Sequence, residues 1–250
     1  MPARTDRTTD PGLRAALLLA RRGQAYFSRT LNELRDERLD APSLVPGWTR
    51  RHVVAHVGLN ARALTRLTTW AATGVETPMY ASPAERDAEI EMAATLPARA
   101  LRHLSAHAAV HLDVEWRDLP DEAWSATVRT ALGREVPARE TVWMRTREVW
   151  IHAVDLDAGG SFRQLPAELV DALLDDVVGA WTRRQADEGL PALVLEPTDR
   201  PAASRRSVPG ERAAVVRGRA ADLAQWATGR GAVDVTTADG VPLPAPPRWL

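Results

Sequence analysis

Residues 49–74, TRRHVVAHVGLNARALTRLTTWAATG, decide the fold. Thr49 suits an N-cap and Gly74 suits a left-handed helix end, so the stretch predicts one long helix. At about 100° per residue, Val53, Val57, Ala61, Leu64 and Leu67 share one stripe, which must be buried. His56 falls at the margin of that stripe, and His52 falls further round toward solvent. A helix of this kind needs neighbours with apolar stripes of their own.

The chain supplies them on both sides. Asp10 before Pro11 pairs a cap with a first-turn proline, and Leu13, Leu17, Ala20, Phe27, Leu31 and Leu34 follow at near-helical spacing. That predicts a helix to about residue 37. Residues 41–48 hold two prolines and a glycine and read as a loop. Ser82, Pro83, Ala84 and Glu85 fit a capping box after an irregular stretch over 75–81, and Pro97 breaks or kinks the helix that follows, which continues to about residue 116. Thr and Val around Gly133 predict a short hairpin within 125–136. Residues 139–156 read as a helix ending before Gly159 and Gly160, and residues 166–186 as another.

The pattern changes after Gly189. Short strands are expected over 193–195, 213–216 and 232–236, with a helix over 220–228. The expected class is mainly α: a four-helix bundle over residues 1–165, then a connecting helix and a small α+β domain over 166–250.

Composition narrows the function. Apolar residues make up 45% and charged residues 26% of the 250, as in folded globular proteins. The longest apolar run, residues 15–20, is too short to span a bilayer, and the polar first ten residues lack the features of a secretory signal, so a cytoplasmic location is expected. A formal net charge of -1 gives no electrostatic reason to approach nucleic acid or an anionic membrane. All 32 basic residues are Arg, so lysine chemistry is excluded and Arg is the only permanently charged anchor for anions. The chain has no cysteine, so a metal must sit on His and carboxylate, and sulfur chemistry must use a bound thiol.

Glu148 and His152 stand four residues apart, which on a helix places them on one face about 6 Å apart, within reach of one divalent ion. Val149, Trp150, Ile151, Val154 and Leu156 surround them, and a carboxylate in apolar surroundings needs a compensating cation or hydrogen bonds. A third ligand must come from another helix, and helical phase favours His56, leaving His52 to the rim. His103, His107 and His111 form a longer series, but they drift around the edge of the stripe marked by Leu101, Leu104, Ala108 and Leu112. With no carboxylate expected at matching spacing there, they read as a solvated face. Two histidines and one carboxylate leave coordination positions open, as in a catalytic site, with zinc as the default and non-haem iron(II) equally suited.

Val45-Pro46-Gly47-Trp48-Thr49-Arg50, with Val53 to Val57, and Arg145 to Leu156 closely resemble signature stretches of the mycothiol-dependent maleylpyruvate isomerase family. The resemblance continues through Pro78 to Ser82, Arg86 and Ile90, and through Leu223 to Arg230. It implies a DinB-like four-helix bundle carrying the metal and a smaller, sterol-carrier-like C-terminal domain. The family's ligands fall on His56, Glu148 and His152, and a functional arginine of the family matches Arg230. The implied activity is the zinc- and mycothiol-dependent conversion of maleylpyruvate to fumarylpyruvate, a cis–trans isomerisation in gentisate degradation. His52, Tyr80 and Arg86 are candidate contacts to substrate or thiol. Mycothiol S-transfer to other electrophiles, a non-catalytic metal- or ligand-binding bundle and iron-dependent oxygenation are the competing functions.

Overall fold

The computed structural model describes residues 5–249 and divides into two compact units, the first ending at Gly160 and the second beginning at Ser161. In the first unit, α1 (Pro11–Glu33), α2 (Arg50–Thr73), α4 (Ala98–Asp118) and α5 (Glu140–Asp155) are the long helices. The short α3 (Pro83–Ala94) packs on α2, and a hairpin of β1 (Thr127–Arg129) and β2 (Glu135–Pro137) joins α4 to α5. Helix α1 lies along α5, and α2 lies along α4 while also touching α5. Leu13, Leu17, Leu64, Leu67, Leu112, Trp116, Trp124 and Val142 are among the members of one buried apolar cluster.

Local chemistry accounts for the boundaries. Asp10 caps α1 by accepting from the Gly12 and Leu13 N–H groups at 2.8 and 3.1 Å. Ser82 caps α3 by accepting from the Glu85 N–H at 3.1 Å. Helix α1 stops at Glu33, short of the expected residue 37, and a 3-10 turn follows over Asp36–Arg38. The cause is distant in sequence. Arg102 of α4 donates to the Leu31 and Leu34 carbonyls at 2.8 and 2.6 Å, satisfying acceptors that another helical turn would have used. Beyond it Leu39 turns inward and is fully buried.

Glycine permits two close helix approaches, one that excludes any Cβ and one that leaves it little room. A Cβ at Gly23 on α1 would lie 2.5 Å from the Trp150 ring and 2.7 Å from Val149 on α5. One at Gly58 on α2 would lie 3.1 Å from the Ser105 Cα on α4. Helical propensity favours alanine at both positions, so packing has overridden it.

The second unit contains α6 (Ala167–Glu188), β3 (Leu193–Pro197), β4 (Arg206–Val208), β5 (Ala214–Gly218), α7 (Ala220–Ala227) and β6 (Thr236–Thr237). Its sheet has the order β4-β3-β5-β6, with β3 and β5 parallel and both outer pairings antiparallel. Strand β4 was not expected, because three residues with one apolar side chain carry no alternation to detect. The last strand was expected over 232–236 but is confined to Thr236–Thr237. Left-handed backbone at Gly231 (φ 84°) and Asp234 (φ 49°) interrupts extension before it. The molecule is thus a mainly helical N-terminal domain plus a small mixed C-terminal domain with a four-stranded sheet. Among the described residues, no helix is long and apolar enough to cross a membrane.

The Gly23 contact yields a stability test. Gly23→Ala should lower stability by about 1–3 kcal/mol through overpacking against Trp150, read as a lower midpoint in chemical denaturation. A stabilised variant, as propensity alone would give, would show that α1 and α5 are not in contact there.

Candidate metal centre

Helix α2 presents His56, and α5 presents Glu148 and His152 one turn apart. His56 Nε2 lies 2.8 Å and His152 Nε2 lies 3.1 Å from the same carboxylate oxygen, Glu148 Oε2. One ligand atom from each residue can be chosen so that all lie within 4.8 Å of one another. Both imidazoles are buried, and the Glu148 side chain is only 16% exposed. Two nitrogens and one oxygen converging in a desolvated spot match the donor set and spacing of a divalent ion with open coordination positions.

Two buried guanidinium groups hold the helices in register around this point. Arg50, in the first turn of α2, donates from Nε to the Leu156 carbonyl at 2.6 Å and from a terminal nitrogen to the Asp157 carbonyl at 2.8 Å. It thereby satisfies the free carbonyls at the C-terminal end of α5 and ties them to the start of α2. Arg145, nearly one turn before Glu148, donates to the Val57 carbonyl at 2.6 Å and to Asn60 Oδ1 at 2.9 Å on α2, and to Gln24 Oε1 at 2.8 Å on α1. Burial lowers the Arg145 pKa to about 10, against the pull of nearby Glu148.

The electrostatics follow from burial and proximity. Burial alone would raise the Glu148 carboxyl, but His56 and His152 beside it hold its pKa well below the ordinary range. Burial lowers the His56 pKa despite Glu148. At His152 burial also opposes charge, yet hydrogen bonds to Asp155 and Glu148 raise its pKa to about 9. Asp155 is fully buried and lies 2.9 Å from His152 Nδ1.

The other expected residues are placed as follows. Arg86, in the first turn of α3, lies 3.4 Å from His56 Nδ1 and pairs with Asp87 at 2.6 Å. Tyr80 is partly buried within electrostatic reach of Arg86 and Glu148, and burial pushes its hydroxyl up to about 12. His52 is not part of the His56, Glu148 and His152 cluster. Its Nδ1 accepts from the Thr49 N–H at 3.2 Å, in the manner of a capping-box carboxylate, and its Nε2 lies 3.3 Å from Glu91. Arg230 belongs to the second unit, where it donates to the Thr228 carbonyl at 2.6 Å. His103, His107 and His111 are exposed on α4, and the expected lack of a matching carboxylate is corrected by Glu115, 3.4 Å from His111.

Asp155, Arg50, Arg145 and Trp48 all lie in the stretches that carry the resemblance, but sequence reasoning assigned them no role at the site. The ring of Trp48 lies 5.4 Å from that of His56. Asp155 did leave a signal, because a residue three positions after His152 shares its helix face.

Residues 20–157 match the family model for the mycothiol maleylpyruvate isomerase N-terminal domain, and residues 164–248 match the MDMPI C-terminal domain model. A crystal structure of the mycothiol-dependent maleylpyruvate isomerase is 44% identical, covers 98% of this chain and 100% of its own, and superposes with a TM-score of 0.90. A second crystal structure, of a variant of that isomerase with one histidine replaced by alanine, matches equally well. No curated protein matches the chain.

The raised His152 pKa sets a pH dependence for the metal-free protein. Its charged form is favoured by folding, so the stability it contributes is complete below about 6.5, the unfolded value, and is lost as pH rises through about 9. The melting temperature of metal-free protein should therefore fall over that window, and His152→Gln should remove this component. A wild-type profile that is flat or rising from pH 7 to 9 would contradict the arrangement.

Proposed function

The chain belongs to the mycothiol maleylpyruvate isomerase family, and on that premise we propose that it is a metal- and mycothiol-dependent cis–trans isomerase converting maleylpyruvate to fumarylpyruvate. The observation that carries the reading is the buried convergence of His56, Glu148 and His152 in a chain without cysteine. Rotation about a conjugated double bond requires its π character to be removed for a time, and reversible addition of a thiolate achieves this.

In this reading His56, Glu148 and His152 hold a divalent ion, with zinc as the default. When bound, the ion would supply a Lewis acid that takes up and stabilises the thiolate, and mycothiol would supply the sulfur. The remaining work falls to side chains of the chain itself. Arg86 keeps part of its guanidinium exposed beside His56, where a fixed positive charge suits one carboxylate of a dianionic substrate. Tyr80, neutral at physiological pH, offers an O–H donor in the same region. The Trp48 ring, tilted 56° to that of His56 with centroids 5.4 Å apart, adds an apolar wall beside it. Arg230, on the resemblance of residues 223–230, is the proposed catalytic arginine of the second unit, and His52 supports the site by fixing the first turn of α2.

The decisive assay follows the absorbance of maleylpyruvate with purified protein, zinc and mycothiol. Isomerisation should require both additions, and His56→Ala should lose bound metal and activity together. Undiminished turnover without metal and thiol would overturn the proposal, as would formation of a stable mycothiol conjugate in place of fumarylpyruvate. Arg86→Gln should raise KM for the dianion about tenfold or more while metal content is kept. An unchanged KM would remove Arg86 from the substrate site.

A further inference from the structure

One buried acid beside the ligand cluster has no part in the scheme above. Asp155 lies on α5 three residues after His152, is fully buried, and places Oδ2 2.9 Å from His152 Nδ1. The other ring nitrogen, Nε2, lies 3.1 Å from Glu148 Oε2. An ionised carboxylate can only accept, so the hydrogen between Asp155 and His152 must sit on Nδ1. In the neutral ring the lone pair then resides on Nε2, the nitrogen that faces the ligand cluster.

His56 is set up differently. Its Nδ1 faces the Arg86 guanidinium at 3.4 Å, which can only donate, so this contact favours the proton on Nε2 and must be given up for Nε2 to bind a metal. A negative charge behind an imidazole increases electron density at the opposite nitrogen, whereas a positive charge decreases it. The two histidines are therefore chemically unequal despite their similar burial.

We propose that Asp155 is a positioning residue that locks His152 in the Nδ1–H tautomer and strengthens Nε2 as a metal donor, making His152 the anchoring ligand and His56 the weaker one. The proposal rests on the reading of His56, Glu148 and His152 as a metal site. Asp155 contacts neither metal nor substrate; its effect passes through the ring of His152.

The test measures zinc affinity by competition with a chromophoric chelator, on folded wild type, Asp155→Asn and Asp155→Ala. Asparagine retains an acceptor without the charge and should weaken binding about tenfold, and alanine should weaken it about a hundredfold. If neither variant folds, long-range proton–nitrogen NMR of zinc-loaded wild type takes their place. It should show the metal on Nε2 of His152 and the proton on Nδ1, and the reverse assignment overturns the proposal. Equal affinity in wild type and variants overturns the role of Asp155 alone. Failure of wild type to bind zinc overturns the metal reading and this inference with it.

Discussion

The site depends on one constraint, the burial of the Glu148 carboxylate between two imidazoles. Moving a carboxylate out of water costs several kcal/mol, and that cost is offset only where positive charge or hydrogen-bond donors lie close by. In the metal-free chain His152 carries the compensating proton, supported by Asp155 behind it. A divalent ion would replace that proton and satisfy the carboxylate and both imidazoles at once. Such an arrangement tolerates little relative movement of α2 and α5. Two buried arginines bridging those helices, Arg50 and Arg145, are what rigidity at this point demands.

The same reasoning explains which parts of the molecule were legible in sequence. Helical periodicity and caps are local, so the long helices, the hairpin and the break at Pro97 could be read from short windows. The end of α1 could not, because Arg102 terminates it from a different helix. Strand β4 was too short to show a period, and the left-handed backbone at Asp234 that interrupts extension before β6 is uncommon for any non-glycine residue. In each case an interaction distant in sequence, or an uncommon backbone state, overrode the local pattern.

The convergence of His56, Glu148 and His152 was legible because a four-residue spacing puts Glu148 and His152 on one helix face and helical phase turns His56 toward the core. Their supports were not. Arg50 and Arg145 are two of 32 arginines, and nothing local distinguishes a buried guanidinium from the many solvated ones. Composition contributed one further constraint of a different kind. A chain with no cysteine cannot supply its own sulfur nucleophile, so a borrowed thiol and an ion with open positions form a consistent pair.

That pairing is the central claim, and X-ray absorption at the metal edge addresses it most directly. Zinc-loaded protein should show a first shell of nitrogen and oxygen only, with outer-shell scattering from two imidazoles. On addition of mycothiol, one sulfur should enter that shell at about 2.3 Å. A first shell without imidazole, or one that stays free of sulfur at saturating thiol, would contradict the account.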